Sequence, residues 1–427
     1  MPSDDTEYAI GYVRQDGEKG NPVYTGRGSS GIRYWRWPWW DKSSLYLIGN
    51  QRLGQHQTLK LRAYEDRYGN GLEAYTDGSY DTPLNTTSFP SSYTDRTRGA
   101  SAILASDALS NHLLQFAVSY KSDRHLDENP KSPPKNYRDV TISFAVEDAI
   151  QIAPAWQLKL GASHEQRKAR EVYQWPTGST SANNGVFELQ HDLGAGGELL
   201  FTLSHKTRFP TIKDRYSARM GRALPNPDLK PERAQHMELG WRGSLWQDGT
   251  VSVALYQSRV SDLIQDVLVP SDQCGDTFCD QAQNIGRARH RGLDLALDQH
   301  IGDWLQLGAA YTLLDRDNLS DPATRLTDTP RQRLSTHARW IFSERWSAVT
   351  TFAAEQGRFV RSRAPGNHAG TLELHGFAVW GTKLVYSPQP AWDIEVSGRN
   401  LGDRWYELAE GYPMPGRSWF ANLRYRY

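Results

Sequence analysis

Long apolar runs are missing from this sequence. No stretch of about 18 apolar residues occurs, which excludes a membrane-spanning helix. An excess of one charge is missing too. Lys and Arg number 49 and so do Asp and Glu, so the chain has no bulk attraction for nucleic acid, and none is expected as a partner. Methionine falls to 4 and cysteine to 2. The 12 histidines are scattered, with no H-E-x-x-H and no Cys/His cluster, which removes the usual zinc sites. The G-x-S-x-G turn and the P-loop are absent as well, so no enzyme is legible and no cofactor is implied. The start is polar from Met1 to Asp5 and strand-like from Glu7 to Val13, so no export signal is legible there.

Aromatic residues are abundant instead, with 15 Trp and 21 Tyr. A ring that is apolar on one side and wet at its edge suits a membrane–water boundary. Trp35, Trp37, Trp39 and Trp40 cluster before the apolar Leu45, Leu47 and Ile48, and read as one rim of an aromatic girdle. Mean hydropathy is −0.67. A membrane barrel tolerates that value, because each strand needs only about 9–11 residues, half of them apolar.

Apolar and polar residues alternate along most of the chain, and a period of two is the strand period. Leu114, Phe116, Val118 and Tyr120 alternate with Gln115, Ala117 and Ser119. Val140, Ile142, Phe144 and Val146 do the same, as do Trp156, Leu158, Leu160 and Ala162. Roughly 18 such strands are countable. A soluble sandwich and a membrane barrel both alternate, so the connections decide. Short links fall at 54–57, 193–197, 247–249, 299–303, 343–345 and 388–391. Long links fall at 66–94, 121–135, 167–185, 208–232, 260–283, 315–330, 356–372 and 402–415. Short and long alternate along most of the chain, so antiparallel hairpins gather the long loops at one end. That sorting predicts an all-β transmembrane barrel with short inner turns and long external loops.

The stretch from Lys206 to Gly243 carries a family signature. Arg208-Phe209-Pro210, then Asn226-Pro227-Asp228-Leu229-Lys230-Pro231-Glu232, then Glu238-Leu239-Gly240 resembles the barrel segment of TonB-dependent outer-membrane receptors. Asn284 to Asp294, Thr329 to Arg333 and Val396 to Asp403 resemble further strand segments of the same family. The end at Tyr427 resembles the terminal aromatic that the barrel-assembly machinery recognises, although many relatives end in Phe. The resemblance implies an antiparallel barrel of about 22 strands with a plugged lumen. With roughly 18 strands visible and no plug ahead of them, residues 1–427 read as a barrel domain whose plug and first strands are missing. It also implies a bacterial outer-membrane location and a lipid bilayer around the wall. The implied activity is TonB-driven uptake of a scarce nutrient, such as an iron–siderophore chelate or a vitamin. A passive porin-like channel is the alternative.

Candidate ligand-gripping residues lie in two long links: Tyr75, Tyr80 and Phe89 in one, Arg215 and Tyr216 in the other. Cys274 and Cys279 share a third, and an exported chain meets oxidising conditions, so a disulfide is expected there. Glu147, Glu238 and Glu395 sit on polar strand faces and are expected to pair with nearby cations.

Overall fold

The computed structural model describes residues 6–26, 32–274, 278–362 and 370–426. Eighteen strands of 8 to 22 residues form one antiparallel sheet, to which the two-residue strand Lys19–Gly20 adds a nineteenth. The first six are β1 (Thr6–Gln15), β2 (Tyr34–Arg52), β3 (Gln57–Tyr75), β4 (Ser91–Ser106), β5 (His112–Asn129) and β6 (Ser132–Ala153). Next come β7 (Trp156–Val172), β8 (Gly178–Asp192), β9 (Glu198–Arg208), β10 (Glu232–Gly243), β11 (Gly249–Ser261) and β12 (Ala288–Ile301). The last six are β13 (Leu305–Asn318), β14 (Gln332–Ser343), β15 (Trp346–Gln356), β16 (Phe377–Gln389), β17 (Trp392–Arg399) and β18 (Ser418–Tyr425). Each pairs with the strand before it, so sequence order is wall order.

The wall is inside-out relative to a soluble protein. Phe116, Val118, Tyr120, Phe144, Val146 and Leu160 share the outer face, and all are exposed. The opposite face of the wall carries Gln115, Ser119, Thr141, Ser143, Lys159 and, on β8, Glu188, with Lys159 Nζ 3.0 Å from Glu188. An apolar band that wide is stable only against lipid, which rules out a sandwich. The two faces make opposite predictions for one residue type. Phe144→Arg at mid-band is expected to destabilise the assembled barrel by about 2–4 kcal/mol, while the neighbouring Ser143→Arg costs little. Urea unfolding of the barrel in lipid vesicles measures both; equal losses would refute the assignment of faces.

The aromatic girdle lies at the short-turn rim. Outward rings pair there: Trp156 stacks on His191 at 3.8 Å and Trp346 on Tyr386 at 4.4 Å, while Trp392 lies tilted against Tyr425 at 4.7 Å. The cluster expected to form it sits elsewhere. Trp35 and Trp37 turn inward at the opposite end and line the mouth. Trp40 also faces in, edge-on to Tyr68, and only Trp39 lies outside, across Gly69 and Gly71. A bulge between Arg36 and Trp39 shifts the pairing, and alternation read straight from the sequence misses it.

Three long links are shorter than expected, because their strands continue past the lipid band. β5 and β6 meet across residues 130–131, β7 and β8 across 173–177, and β3 and β4 across 76–90. Above the band both faces are wet, so the apolar signal fades while the ladder persists. Pro133 and Pro134 fall at a register shift at the hairpin tip, where no ladder donor is needed.

Packing density concentrates at this outer end. Leu72, Ala74 and Phe89 are buried with Trp35, Trp37, Leu84 and Met220 against them. Tyr137, Ala169, Val172 and Tyr216 form a second cluster, and Val260, Ala288 and Leu326 a third. Among the described residues no pairing joins β1 to β18. All of β1 but Thr6 and Gly11, and all of β18 but Ser418, are exposed. Tyr427 lies outside the described residues. On the polar faces Glu238 lies 3.3 Å from His236, and Glu395 lies 3.7 Å from Lys383 and 3.6 Å from Arg424. Glu147 stands between Gln115 and Gly161 in the register.

Candidate functional site

The link between β9 and β10 folds into the barrel mouth and builds one side of a cavity. Thr211 starts a five-residue helix, α1 (Ile212–Tyr216), with a capping box. The Asp214 N–H donates to Thr211 Oγ1 at 3.1 Å, and the Thr211 N–H donates to Asp214 Oδ2 at 2.9 Å. The helix delivers Arg215 into the wall, where its side chain is 2% exposed. Its guanidinium donates to Asp139 on β6, to the Tyr216 hydroxyl at 2.8 Å and to the Thr211 carbonyl at 3.3 Å. Arg167 on β7 lies 4.0 Å from the same Asp139 and donates to the buried Pro210 carbonyl at 2.6 Å. A buried charge is tolerable only when paired and bonded like this. Burial, the largest influence, pushes the Tyr216 phenol up, so it stays neutral while accepting from Arg215.

The rest of the link docks on its neighbours. Ala223–Leu224 pairs in parallel with Asp280 and Gln281 of the next loop. The Asn226 amide donates to the Ala282 carbonyl at 2.8 Å, and the Lys230 N–H donates to Asn284 Oδ1 at 2.9 Å. Leu229 is buried, and Glu232 pairs with Arg208 while accepting from the Ile264 N–H at 2.6 Å. The Asn226–Glu232 signature therefore fixes loop to loop and loop to strand. Arg219 pairs with Asp266 and lies 3.6 Å from Asp280, which also binds Arg361 at 2.8 Å, so three loops are laced together. In the loop between β11 and β12 Cys274 and Cys279 are joined as a disulfide.

Below these loops lies a cavity of about 1370 Å³. Rings line it in a continuous run. Tyr93 lies 5.1 Å from His125, His125 6.0 Å from Tyr137, and Tyr137 stacks on Tyr216 at 5.0 Å. His125 Nδ1 is 2.5 Å from Asp95 Oδ1, which fixes its ring, and the Tyr93 hydroxyl donates to Met220 Sδ at 3.6 Å. Trp35, Trp37, Trp175 and Phe209 add further rings. Arg124 borders the cavity, but its guanidinium turns out to Asn136. Apart from Arg124, ten Lys and Arg line the space against six Asp and Glu. Arg208 and Arg219 are also answered by Asp214, Glu232 and Asp266 outside the lining, so the lining is mixed in sign with cations in the majority, and such a majority favours anionic ligands.

Of the five sequence candidates, Tyr216 reaches this cavity. Phe89 and Tyr75 line a smaller one of about 450 Å³ beside it. Tyr75 and Tyr80 pack edge-on at 5.3 Å, with Arg36 4.0 Å over Tyr80. Arg215 is held by protein partners. Tyr93, His125 and Tyr137 were missed, because two of them lie in segments read as loops. Their signal was available: Tyr137 and Asp139 continue the inward parity of Thr141 and Ser143.

Residues 2–401 match the family model described as "TonB dependent receptor-like, beta-barrel". The chain belongs to the TonB-dependent receptors. These receptors sit in the bacterial outer membrane, work with TonB and bind small molecules; the family is made of receptors and transporters, not enzymes. The chain is 28% identical over 213 residues to the ferric-pyoverdine M114 receptor PbuA of Pseudomonas sp. (strain M114), covering 47% of this chain and 24% of that protein. It is 22% identical over 330 residues to the vitamin B12 transporter BtuB of Vibrio cholerae, covering 75% of this chain and 48% of that one. The match thus spans less than half the length of either curated relative. Among solved structures, the copper transporter OprC superposes with a TM-score of 0.78 at 16% identity, covering 100% of this chain and 70% of that one. The ferric citrate transporter FecA in its unliganded form superposes at 0.74 and 16%, covering 99% and 68%. These likenesses establish the fold.

Proposed function

We propose that this wall belongs to a receptor that captures an anionic metal chelate of the siderophore class at the cell surface and imports it with energy from TonB. The observation that carries the reading is the cavity at the mouth, where a run of aromatic rings meets an excess of cations. Rings stack on planar chelating groups, and the cations favour a ligand with net negative charge. Tyr216 and its neighbours Tyr137, His125 and Tyr93 contact the ligand; Arg215, Phe89, Tyr75 and Tyr80 hold the loops around it. The PbuA likeness supports a ferric chelate as cargo. The reading assigns no catalysis, and no observation favours a passive porin. Coupling to TonB runs through a plug region, and the barrel-assembly machinery reads the end at Tyr427.

The test is ligand binding by the full-length receptor, followed by tryptophan fluorescence, with ferric chelates that differ in net charge. Anionic chelates are expected to bind, and Tyr216→Ala to weaken them about tenfold, or about 1.4 kcal/mol. Preference for cationic chelates, or an unchanged affinity in Tyr216→Ala, would overturn the reading.

A further inference from the structure

The outer wall carries a ladder of like charges directly above the lipid band. Register places Arg67 opposite Arg96, Arg96 opposite Arg124, and Arg124 opposite Arg138, on the adjacent strands β3 to β6. The row beneath adds Arg98 on β4 and Lys168 on β7. These side chains share the outer face, because the alternate residues Tyr68, Asp95, Asp123 and Asp139 line the interior cavity. Two acids answer the six cations. Glu65 takes Arg67 at 2.6 Å, Arg96 at 2.5 Å and Arg98 at 2.7 Å, and Glu171 lies 3.7 Å from Arg138. Like charges directly opposite one another destabilise a sheet. Where Arg259 stands opposite Arg289 elsewhere in the wall, Asp317 answers Arg289 at 2.6 Å, and Arg291 stands opposite Asp315.

Height identifies the counter-charge. Arg98 is followed on its own face by Ala100, Ala102 and Leu104, which pair with Tyr120, Val118 and Phe116 of the apolar band. Two residues of strand span about 7 Å, which is the depth of the polar headgroup layer outside the hydrocarbon core. The ladder is at the long-loop end, so it meets the outer leaflet. Guanidinium groups bind phosphate oxygens in pairs, and a row of them at strand spacing suits a headgroup with more than one phosphate.

We propose that this face binds the phosphorylated headgroup of an outer-leaflet glycolipid. The site lies on the opposite face of the wall from the cavity, which only Arg124 of its members also borders, and it does not depend on what the cavity binds. The test uses the full-length receptor extracted from outer membranes in mild detergent, with bound lipid A measured by mass spectrometry after washing. The native receptor is expected to retain lipid A. An Arg96→Gln/Arg124→Gln/Arg138→Gln variant should retain less than a tenth as much, and the corresponding triple Lys variant should keep most of it. Unboiled gel mobility selects variants that assemble, so loss of folding is not read as loss of binding. Receptor stripped of lipid should rebind lipid A from vesicles, but not its dephosphorylated form, and millimolar inorganic phosphate should not displace it. Equal retention by the Gln variant, equal binding of dephosphorylated lipid, or displacement by free phosphate would each overturn the proposal.

Discussion

Cells that produce this chain behind an export signal, and that lack any receptor of their own for the chelate, are expected to show no energy-dependent uptake. The reason is the pair of open edges. β1 pairs with β2 and β18 with β17, but the other edge of each has no partner strand among the described residues, and their side chains are almost wholly exposed. A spanning strand must satisfy its backbone within the protein, since each unpaired group in hydrocarbon costs several kcal/mol. Ten residues of β1 and eight of β18 leave a row of such groups on each edge. A closed wall needs a partner for each of these edges. On this account the chain by itself is either retained unassembled or inserted as a leaky pore, and a full-length receptor of the family serves as the positive control. The measurement is accumulation of radiolabelled iron chelate with and without an uncoupler. Uncoupler-sensitive accumulation by this chain alone would show the account wrong.

Removing the Arg215 guanidinium is expected to release the whole link between β9 and β10 from the mouth. Breaking a buried pair from one side costs about 3–5 kcal/mol, because the remaining charge stays buried without its partner. Here Arg167 lies 4.0 Å from Asp139 and offsets part of that cost, which places Arg215→Ala near the lower end. The same change removes the bonds to Tyr216 and Thr211 that hold α1. About 3 kcal/mol corresponds to more than a hundredfold in affinity if the ligand needs the docked loop. The barrel itself should still assemble, since the strand ladders are untouched. Two readouts follow: faster surface proteolysis within 209–231 on intact cells, and a matching loss of chelate affinity. Combining Arg215→Met with Asp139→Asn should recover part of both losses, because no unpaired charge is then left behind. Unchanged proteolysis and affinity in Arg215→Ala would remove the loop-anchoring role.

Much of this architecture was written in local pattern. Period-two alternation and the sorting of short from long links were enough for an antiparallel membrane barrel of roughly 18 strands. Both depend only on which residues face lipid, and every lipid-facing position must be apolar. The Asn226–Glu232 signature marked the family, and the paired cysteines marked their disulfide. Tertiary structure decided the rest, where both strand faces are wet and hydrophobicity carries no information. Above the lipid band it continued β5 and β6 to within two residues of each other and turned Tyr93, His125 and Tyr137 into one side of a cavity. A single bulge after Arg36 sent Trp35 and Trp37 inward, away from the girdle their composition suggested. Arg215 looked like an exposed grip, yet it is among the most buried side chains, because Asp139 waits for it 76 residues earlier. The arginine ladder exists only through register: its members are scattered from 67 to 138 in sequence, and cross-strand pairing alone makes them neighbours.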